Sequence, residues 1–325
     1  MNKQELENEE VRQEEKKTKK KKVRKKKTMF GHIRSIISIL LVVGIIGGSY
    51  WYYAFQYRAE VEPETNRKVT NTDSVYTMEQ YLKTLKRNQT VYKYACDEAE
   101  VDNDYGTYVV PGLKSTRTLK VKGDGEAEVC TSMTPQGLAF TEDYILVSAY
   151  CKTKAHDSVI YVIDKESRRF VKEIVLNTKA HVGGMAYDTM NQILWVTGQG
   201  STWAQANAIT LSHLENYSFD DGYHPIEFDM SYNLYKIKRA SFMTYHDGAL
   251  FVGFFTQDNA SVIEKYLINA DGTLYEKEDM NLKRTVGVTE PVAYAVSMLV
   301  ISGKVQGLAF YNNKILLTRS WGILP

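Results

Sequence analysis

Hydrophobic and polar positions follow four successive patterns along this chain of 325 residues. A highly charged tail (1–34), whose like charges repel one another and predict disorder, precedes an uncharged, mainly apolar run at 35–56. At about 1.5 Å per residue this run is long enough to cross a bilayer as a helix. Residues 57–105 are polar and contain one amphipathic repeat, at 78–87, that predicts a short helix within a spacer. From 106 to 325, short β-branched and aromatic runs alternate with polar turns, and this pattern predicts an all-β domain.

An internal repeat organises the all-β part. Each copy is a strand, a tight polar turn and a second strand, and equivalent positions are 47, 58 and 65 residues apart. A third strand is expected after each of the first three copies, at 157–165, 207–217 and 260–269, and a fourth strand at 170–176. The four copies are PQGLAFTEDYILVSAY (135–150), VGGMAYDTMNQILWVTG (182–198), ASFMTYHDGALFVGFF (240–255) and VQGLAFYNNKILLTRSWG (305–322).

This spacing predicts four-stranded antiparallel units that stack as the blades of a β-propeller, because one unit cannot cover both of its faces. A β-sandwich is the competing all-β architecture, but its strands need not repeat in sequence. The last copy ends two strands into its unit, so four to five blades are expected. A strand at 107–111 or 116–123 is available to complete the last blade; otherwise the propeller is incomplete or truncated.

The repeat also carries a family resemblance, over roughly residues 105–325. The unit Q/H-x-G-L/M-A-F/Y, a turn, I-L-x-V-S/T, a polar loop and S-V-I-Y-V-I-D resembles the blades of bacterial extracytoplasmic propellers of the YVTN and NHL-like kind. The resemblance implies an architecture. It implies no single activity, because such propellers include ligand-binding modules, lyases, lactonases and phosphatases.

The net charge of +2 is the sum of two oppositely charged parts. Residues 1–34 carry 13 Lys and Arg against 6 Glu, a net of +7, which leaves −5 for the rest of the chain. Because the excess of basic over acidic residues is confined to the tail, a nucleic-acid-binding domain is not expected. A block of Lys and Arg at 16–27, interrupted only by Thr18 and Val23, instead predicts a cytoplasmic N-terminus, a single pass through the lipid bilayer at 35–56 and an extracellular β-domain. A cleaved signal peptide, with small residues at 47–49, is the alternative.

Propeller geometry converts the repeat into a site prediction, because the starts of the inner strands and the loops between strands 2 and 3 surround the same channel mouth. Polar, cationic and Trp side chains at these positions can hold an anionic or carbohydrate ligand. The other interpretation is that they belong to ordinary solvated loops. The candidate ligand-binding residues are Gln136, His181, Arg239, Lys304, Gln306, Trp203 and Trp321.

Catalytic and metal-binding patterns are sparse. His181 is the best single candidate for a general base, although a purely structural histidine is the simpler interpretation. The six His residues are scattered and the three Cys residues form no CxxC, so neither a metal nor a cofactor is expected. Cys130 and Cys151 lie near the same predicted mouth and are the favoured disulfide pair, which leaves Cys96 unpaired.

Two functions from different classes follow from these patterns. The preferred hypothesis is a membrane-anchored extracellular propeller that binds a cell-wall glycan, a peptide or another surface protein. The alternative is a propeller hydrolase or lyase at the channel mouth, around His181, Gln136, Arg239 and Lys304. Whether these side chains converge on a closed pocket distinguishes the two hypotheses.

Overall fold

The computed structural model of the chain describes most of the predicted helix and β-domain. The remaining residues, which include 94–109, 277–289 and 320–325, lie outside the described part. The described residues are 3–57, 83, 86–87, 89–93, 110, 113, 115–121, 125–167, 169–276, 290–312 and 314–319.

A long helix, α1 (Lys3–Tyr57), contains the predicted spanning segment. Its apolar stretch Gly31–Trp51 is 21 residues long, and its residues are exposed. Among the residues that the structure describes, one helix is therefore long and apolar enough to cross a membrane, as the sequence predicted. Disorder was expected for residues 1–34, but the structure has a helix from Lys3, and Lys, Arg and Glu are all strong helix formers.

The β-rich unit spans 61–325 and is separate from the unit formed by 1–60. Two short helices accompany its strands, α2 (Gln89–Tyr92) and α3 (Leu211–Asn216). The strands are β1 (Thr116–Leu119), β2 (Ala127–Cys130), β3 (Met133–Phe140), β4 (Tyr144–Cys151), β5 (Val159–Asp164), β6 (Phe170–Val175), β7 (Met185–Asp188), β8 (Ile193–Gln199), β9 (Ala204–Thr210), β10 (Met230–Leu234), β11 (Phe242–His246), β12 (Ala249–Gly253), β13 (Ala260–Leu267), β14 (Val292–Ala293), β15 (Ser297–Ser302), β16 (Val305–Tyr311) and β17 (Lys314–Arg319).

Four sheets reproduce the four sequence repeats. The first sheet has the order β3-β4-β5-β6 and is antiparallel throughout. The second sheet is β7-β8-β9-β10-β14, in which only β14 runs parallel to its neighbour. The third sheet is β11-β12-β13-β15, and the fourth is the hairpin β16-β17. A separate hairpin, β1-β2, precedes them, and β1 packs beside β6 of the first sheet.

The sheets stack face to face, and strand β8 shows this most clearly. Leu194 and Val196 belong to the hydrophobic core between the first and second sheets. Ile193 and Trp195, on the opposite face of the same strand, belong to the core between the second and third sheets. The first strands of successive sheets, β3, β7, β11 and β16, also lie side by side. This is the blade-like stacking that the repeat predicted, and it differs from a sandwich of two sheets.

The stack is not a closed ring in the part of the chain that the structure describes. Leu138 and Phe140 of β3 are exposed at one end, and Ile315 and Leu316 of β17 are exposed at the other. The segment 116–123 was considered as a strand that completes the last blade, but β1 pairs with β2 instead. The alternative closing segment, 107–111, lies outside the described residues except for position 110.

Two further expectations need correction or fall outside the structure. A strand was expected over 207–217, but β9 ends at Thr210 and α3 begins at the next residue. The cause is local, because the Thr210 hydroxyl accepts a hydrogen bond from the backbone N–H of His213 and so caps the helix. The amphipathic helix predicted at 78–87 lies largely outside the described residues.

Candidate binding site

The entries to the inner strands lie against one another at one edge of the sheet stack. A Cβ atom added to Gly137 would lie 2.9 Å from the carbonyl oxygen of Gly183, and one added to Gly183 would lie 2.5 Å from that of Ser241. These close approaches require glycine, since a side chain would collide with the neighbouring backbone. The starts of the first three repeats are thus in direct contact, as the propeller interpretation expected.

His181 lies beside this contact, in the connection from β6 to β7. Its ring stacks on Tyr150, with ring centroids 4.0 Å apart and 18° between the planes. Partial burial lowers the pKa of His181, and the nearby positive charges of Lys154 and Arg239 lower it further. The structure therefore brings His181 and Arg239 together and adds Lys154 and Tyr150 to them. We call His181, Tyr150, Lys154 and Arg239 the mouth cluster.

The other predicted polar residues have varied surroundings. Gln136 is exposed on β3, and its side-chain amide donates to the carbonyl oxygen of Pro135 over 2.8 Å. Lys304 precedes β16 with a left-handed backbone (φ 66°), and its N–H donates to the carbonyl oxygen of Thr256 over 2.8 Å. Gln306 is exposed on β16. Lys304 and Gln306 therefore lie at the start of the fourth repeat, whose first strand β16 neighbours β11 of the third repeat.

The two tryptophans do not provide exposed stacking surfaces in the described part of the chain. Trp203 is only 8% exposed, and its ring packs edge-on against Tyr235 with centroids 5.2 Å apart. It belongs to a small hydrophobic cluster with Val292, so it stabilises the second sheet rather than facing a ligand. Trp321 lies outside the described residues.

A polar cavity of about 190 Å³ lies beside the second sheet and was not predicted as a unit. Its walls come from β8, β9 and β10, from the connections that precede β7 and β10, and from Glu290, which lies two residues before β14. Amides, carboxylates and hydroxyls dominate the wall, with one aromatic side chain among them. The lining residues are Asn177, Thr178, Gly198, Gln199, Gln205, Asn207, Glu227, Phe228, Ser231 and Glu290.

The cavity wall is held in place by buried polar contacts. Asn207 is buried at 3% exposure, and its amide packs against Gly198, where a larger side chain would not fit. The amide of the fully buried Asn233, behind the wall, donates to the Glu290 carboxylate over 3.1 Å. Because these groups are fixed by the sheet, the cavity presents a preformed set of donors and acceptors.

Sequence reasoning found part of this cavity. The β8–β9 connection was predicted to border the mouth, and the lining residues Gln199, Gln205 and Asn207 flank or belong to it. Glu227 and Ser231 were missed, because they come from an irregular connection and an outer strand that share no repeated motif. The sequence did point to Asn177 indirectly, because Asn177 lies four residues before the selected His181 in the connection from β6 to β7.

The predicted disulfide partners are neighbours. Cys130 ends β2 and Cys151 ends β4, and both side chains are buried as free thiols. The structure thus brings the pair together without bonding it, and the disulfide stays a prediction. His156, which the sequence analysis did not select, lies against the same thiols. Cys96 lies outside the described residues.

Comparisons with known proteins return only distant structural similarities. No protein-family model matches the sequence, and no curated protein matches it. The crystal structure of Myxococcus xanthus glutaminyl cyclase is 12% identical at a TM-score of 0.34, over 60% of this chain and 71% of that one. Kuenenia stuttgartiensis hydrazine synthase is 14% identical at a TM-score of 0.33, over 60% of this chain. The match spans 45% of the length of the hydrazine synthase chain.

Proposed function

We propose that this chain is a single-pass membrane protein whose β-rich unit faces the outside of the cell and binds a cell-envelope glycan. The apolar stretch of α1 provides the anchor. The Lys/Arg block before it favours a cytoplasmic N-terminus under the positive-inside rule, which leaves the β-rich unit outside. The propeller resemblance is compatible with this placement. The observation that carries the binding function is the polar cavity.

The chemistry of the cavity suits a ligand rich in hydroxyl groups. Side-chain amides both donate and accept hydrogen bonds, and carboxylates accept them strongly, so sugar hydroxyls find partners of both kinds. Phe228 offers an apolar surface for the C–H face of a sugar ring. The volume of about 190 Å³ is below the roughly 300–1,000 Å³ of pockets for drug-sized ligands, which suits one sugar residue or a chain end.

The mouth cluster extends this surface with positive charge. His181 and Asn177 are four residues apart, so their Cα atoms lie within roughly 14 Å of each other at about 3.6 Å per residue. A short glycan can span that distance. Lys154 and Arg239 beside His181 would then attract the carboxylate or phosphate groups of an acidic envelope polymer. The predicted ligand is therefore an acidic glycan with one sugar in the cavity.

Sedimentation with insoluble peptidoglycan tests this proposal on the full-length protein in detergent micelles. The double substitution Gln205→Ala and Ser231→Ala removes two cavity hydrogen-bonding groups. Since a hydrogen bond contributes about 0.5–1.5 kcal/mol, we expect the dissociation constant to rise roughly tenfold or more. Arg239→Gln is expected to weaken binding at low salt more than at high salt.

Gln257→Ala is the matched control. Gln257 is an exposed amide in the β12–β13 connection, the counterpart of the β8–β9 connection in the next repeat, and it does not line the cavity. Binding should be unchanged in this variant. If the wild-type protein does not sediment with the glycan, or if the control loses as much binding as the cavity variant, the proposal is wrong.

A second function is favoured by one observation, the environment of His181. An imidazole that is kept neutral by nearby cations is a competent general base, and Arg239 could stabilise a developing negative charge. A hydrolase or lyase acting on the bound glycan would use these groups. Turnover of the glycan by the wild-type protein, together with its loss in His181→Ala, would favour this enzyme. Binding without turnover would favour the binding module.

A further inference from the structure

Cys130, Cys151 and His156 form a largely buried cluster that shares no residue with the proposed glycan site. Their ligand atoms all lie within 4.8 Å of one another. Cys130 is fully buried and Cys151 is 1% exposed. The three residues come from separate elements, namely the end of β2, the end of β4 and the connection from β4 to β5. The fold therefore gathers two thiols and an imidazole at one point.

The orientation of His156 is set by a carboxylate. Its Nε2 lies 3.0 Å from Glu128 Oε2, and its Nδ1 lies 3.4 Å from Cys151 Sγ. Because an ionised carboxylate can only accept hydrogen bonds, Nε2 must carry the proton. In the neutral ring the lone pair of Nδ1 then points at the thiols. A carboxylate that holds the far nitrogen of the ring in this way is the usual outer partner of a metal-bound histidine.

We propose that Cys130, Cys151 and His156 bind one thiophilic divalent cation of the zinc class. Two thiolates and an imidazole suit zinc, whereas magnesium and calcium prefer oxygen ligands. In a tetrahedral site, Zn–S bonds of about 2.3 Å and Zn–N bonds of about 2.0 Å place sulfur and nitrogen about 3.5 Å apart. The observed separation of 3.4 Å between Cys151 Sγ and His156 Nδ1 fits this geometry.

Ser132 lies where it can supply or position the fourth ligand. Ser132 Oγ lies 3.7 Å from Cys130 Sγ and 3.6 Å from Cys151 Sγ, so its hydroxyl borders both thiols. A water molecule held by that hydroxyl, or the hydroxyl itself, completes the coordination. Binding releases the two thiol protons to solvent and involves no change in oxidation state.

The metal would fasten the β1–β2 hairpin to the first sheet. This junction already has backbone hydrogen bonds, from Val121 N to Ala155 O and from Asp157 N to Leu119 O, both 2.9 Å long. Lys152 N also donates to Ser132 O over 3.0 Å. A cation coordinated by residues of β2 and of the β4–β5 connection would add a metal cross-link at the same place. Its role is therefore structural.

Metal content of the full-length protein, purified in detergent without chelator, tests the proposal. We expect about one zinc per chain in the wild type and less than about a tenth of that in Cys151→Ser and His156→Ala. Replacement by cobalt should give the visible absorption of tetrahedral thiolate-bound Co²⁺. Glu128→Gln keeps all three ligands, so it should retain the site while its affinity for zinc falls roughly 10- to 100-fold.

His213→Ala is the matched control, because His213 Nδ1 also lies 2.9 Å from a carboxylate, that of Asp229, at a place where no thiol is described. It should leave the metal content unchanged. Alkylation of the denatured wild-type protein before and after reduction supplies the second measurement. Thiols that react only after reduction would show the disulfide that the sequence predicts and would overturn the metal site. Free thiols without stoichiometric metal would overturn it as well.

Discussion

The first and fourth repeats have nearly the same sequence but opposite surroundings. Both contain the pentapeptide QGLAF, at 136–140 and 306–310, and both continue into an Ile-Leu pair five residues later. In the first repeat Leu146 is fully buried, whereas its counterpart Leu316 is 49% exposed. On the other face of the hairpin the difference is reversed, with the exposed side chain in the first repeat and the packed one in the fourth. Phe140 is 53% exposed, whereas Phe310 stacks on His246 with ring centroids 4.2 Å apart.

The comparison shows that neighbouring sheets, rather than the repeat itself, decide which face becomes core. The first repeat is covered by the second sheet on the face that carries Ala139 and Leu146. The fourth repeat is covered by the third sheet on the opposite face, where Leu308 packs. The two repeats are thus the two ends of one stack. A substitution at equivalent positions should have very different effects in them.

The largest expected difference concerns Leu146→Ala and Leu316→Ala, which remove the same atoms from equivalent positions. Leu146→Ala should lower the free energy of unfolding by about 2–5 kcal/mol, because it leaves a cavity in the core. Leu316→Ala should change it by less than about 0.5 kcal/mol, as an exposed substitution does. Denaturant unfolding of the full-length protein in micelles, followed by tryptophan fluorescence, measures both. Equal losses would contradict the stacked arrangement.

A second difference concerns the arginine side chains that hold the two ends. Arg117 of β1 contacts the carboxylate of Glu173 at 3.0 Å, and Glu173 is only 3% exposed. Arg117→Met leaves that buried carboxylate without its cation, which should cost about 2–3 kcal/mol at neutral pH after allowance for the partial exposure of Arg117. In the described part of the chain, Arg319 of β17 donates to the carbonyl oxygen of Gly303, an uncharged partner, so Arg319→Met should cost about 1 kcal/mol or less.

The pH dependence of Arg117→Met has a defined sign. Burial raises the pKa of Glu173 and Arg117 opposes that rise, so the pKa of Glu173 should be higher still in the variant. A carboxyl with a raised pKa in the folded state favours folding in its neutral form. The stability deficit should therefore be largest at neutral pH and should shrink as the pH falls through the pKa of Glu173. The double variant with Glu173→Gln should recover part of the loss. A deficit that does not vary with pH would contradict the role of the pair.

The repeat made the sheets predictable from sequence, because strand alternation and turn residues are local signals. The β3-β4 and β16-β17 hairpins occur where the QGLAF copies placed them. The end of β9 was mispredicted, since an apolar run such as ITLSHL is compatible with strand or helix and the Thr210 cap decides between them. The pairing of β14 with β10 was not predictable, because it follows a long excursion with no repeated motif.

The candidate sites were harder to predict because they depend on distances between repeats. His181 and Arg239 were selected because both lie at the same position of the repeat, and their role in ligand binding stays a prediction. Trp203 was misjudged, since its burial depends on Tyr235 from another strand. Glu128 and His156 were not connected in the sequence, because the contact between them exists only after the β1–β2 hairpin packs on the first sheet.

The smallest predicted effect concerns the histidines near the two ends. His181 stacks on Tyr150 beside two cations, whereas His246 stacks on Phe310 and contacts the Asp247 carboxylate at 3.3 Å. Arg239→Gln removes a like charge and should raise the pKa of His181. The change should shrink as salt is added, since these charges are near water. NMR titration of the histidine ring protons measures it, with His181→Ala for assignment.

Lys265→Gln is the control for this titration, because Lys265 lies on β13 of the third sheet, over the ring of Phe251. It should leave the pKa of His181 unchanged. The lowered pKa of His181 also sets the direction in which the stability of the folded state changes with pH. Folding favours the neutral ring, so the contribution of His181 is complete above the unfolded-state pKa of about 6.5 and is lost as the pH falls. If Arg239→Gln lowers the pKa of His181 or leaves it unchanged, the mouth cluster is not a cationic site and the acidic part of the proposed ligand loses its basis.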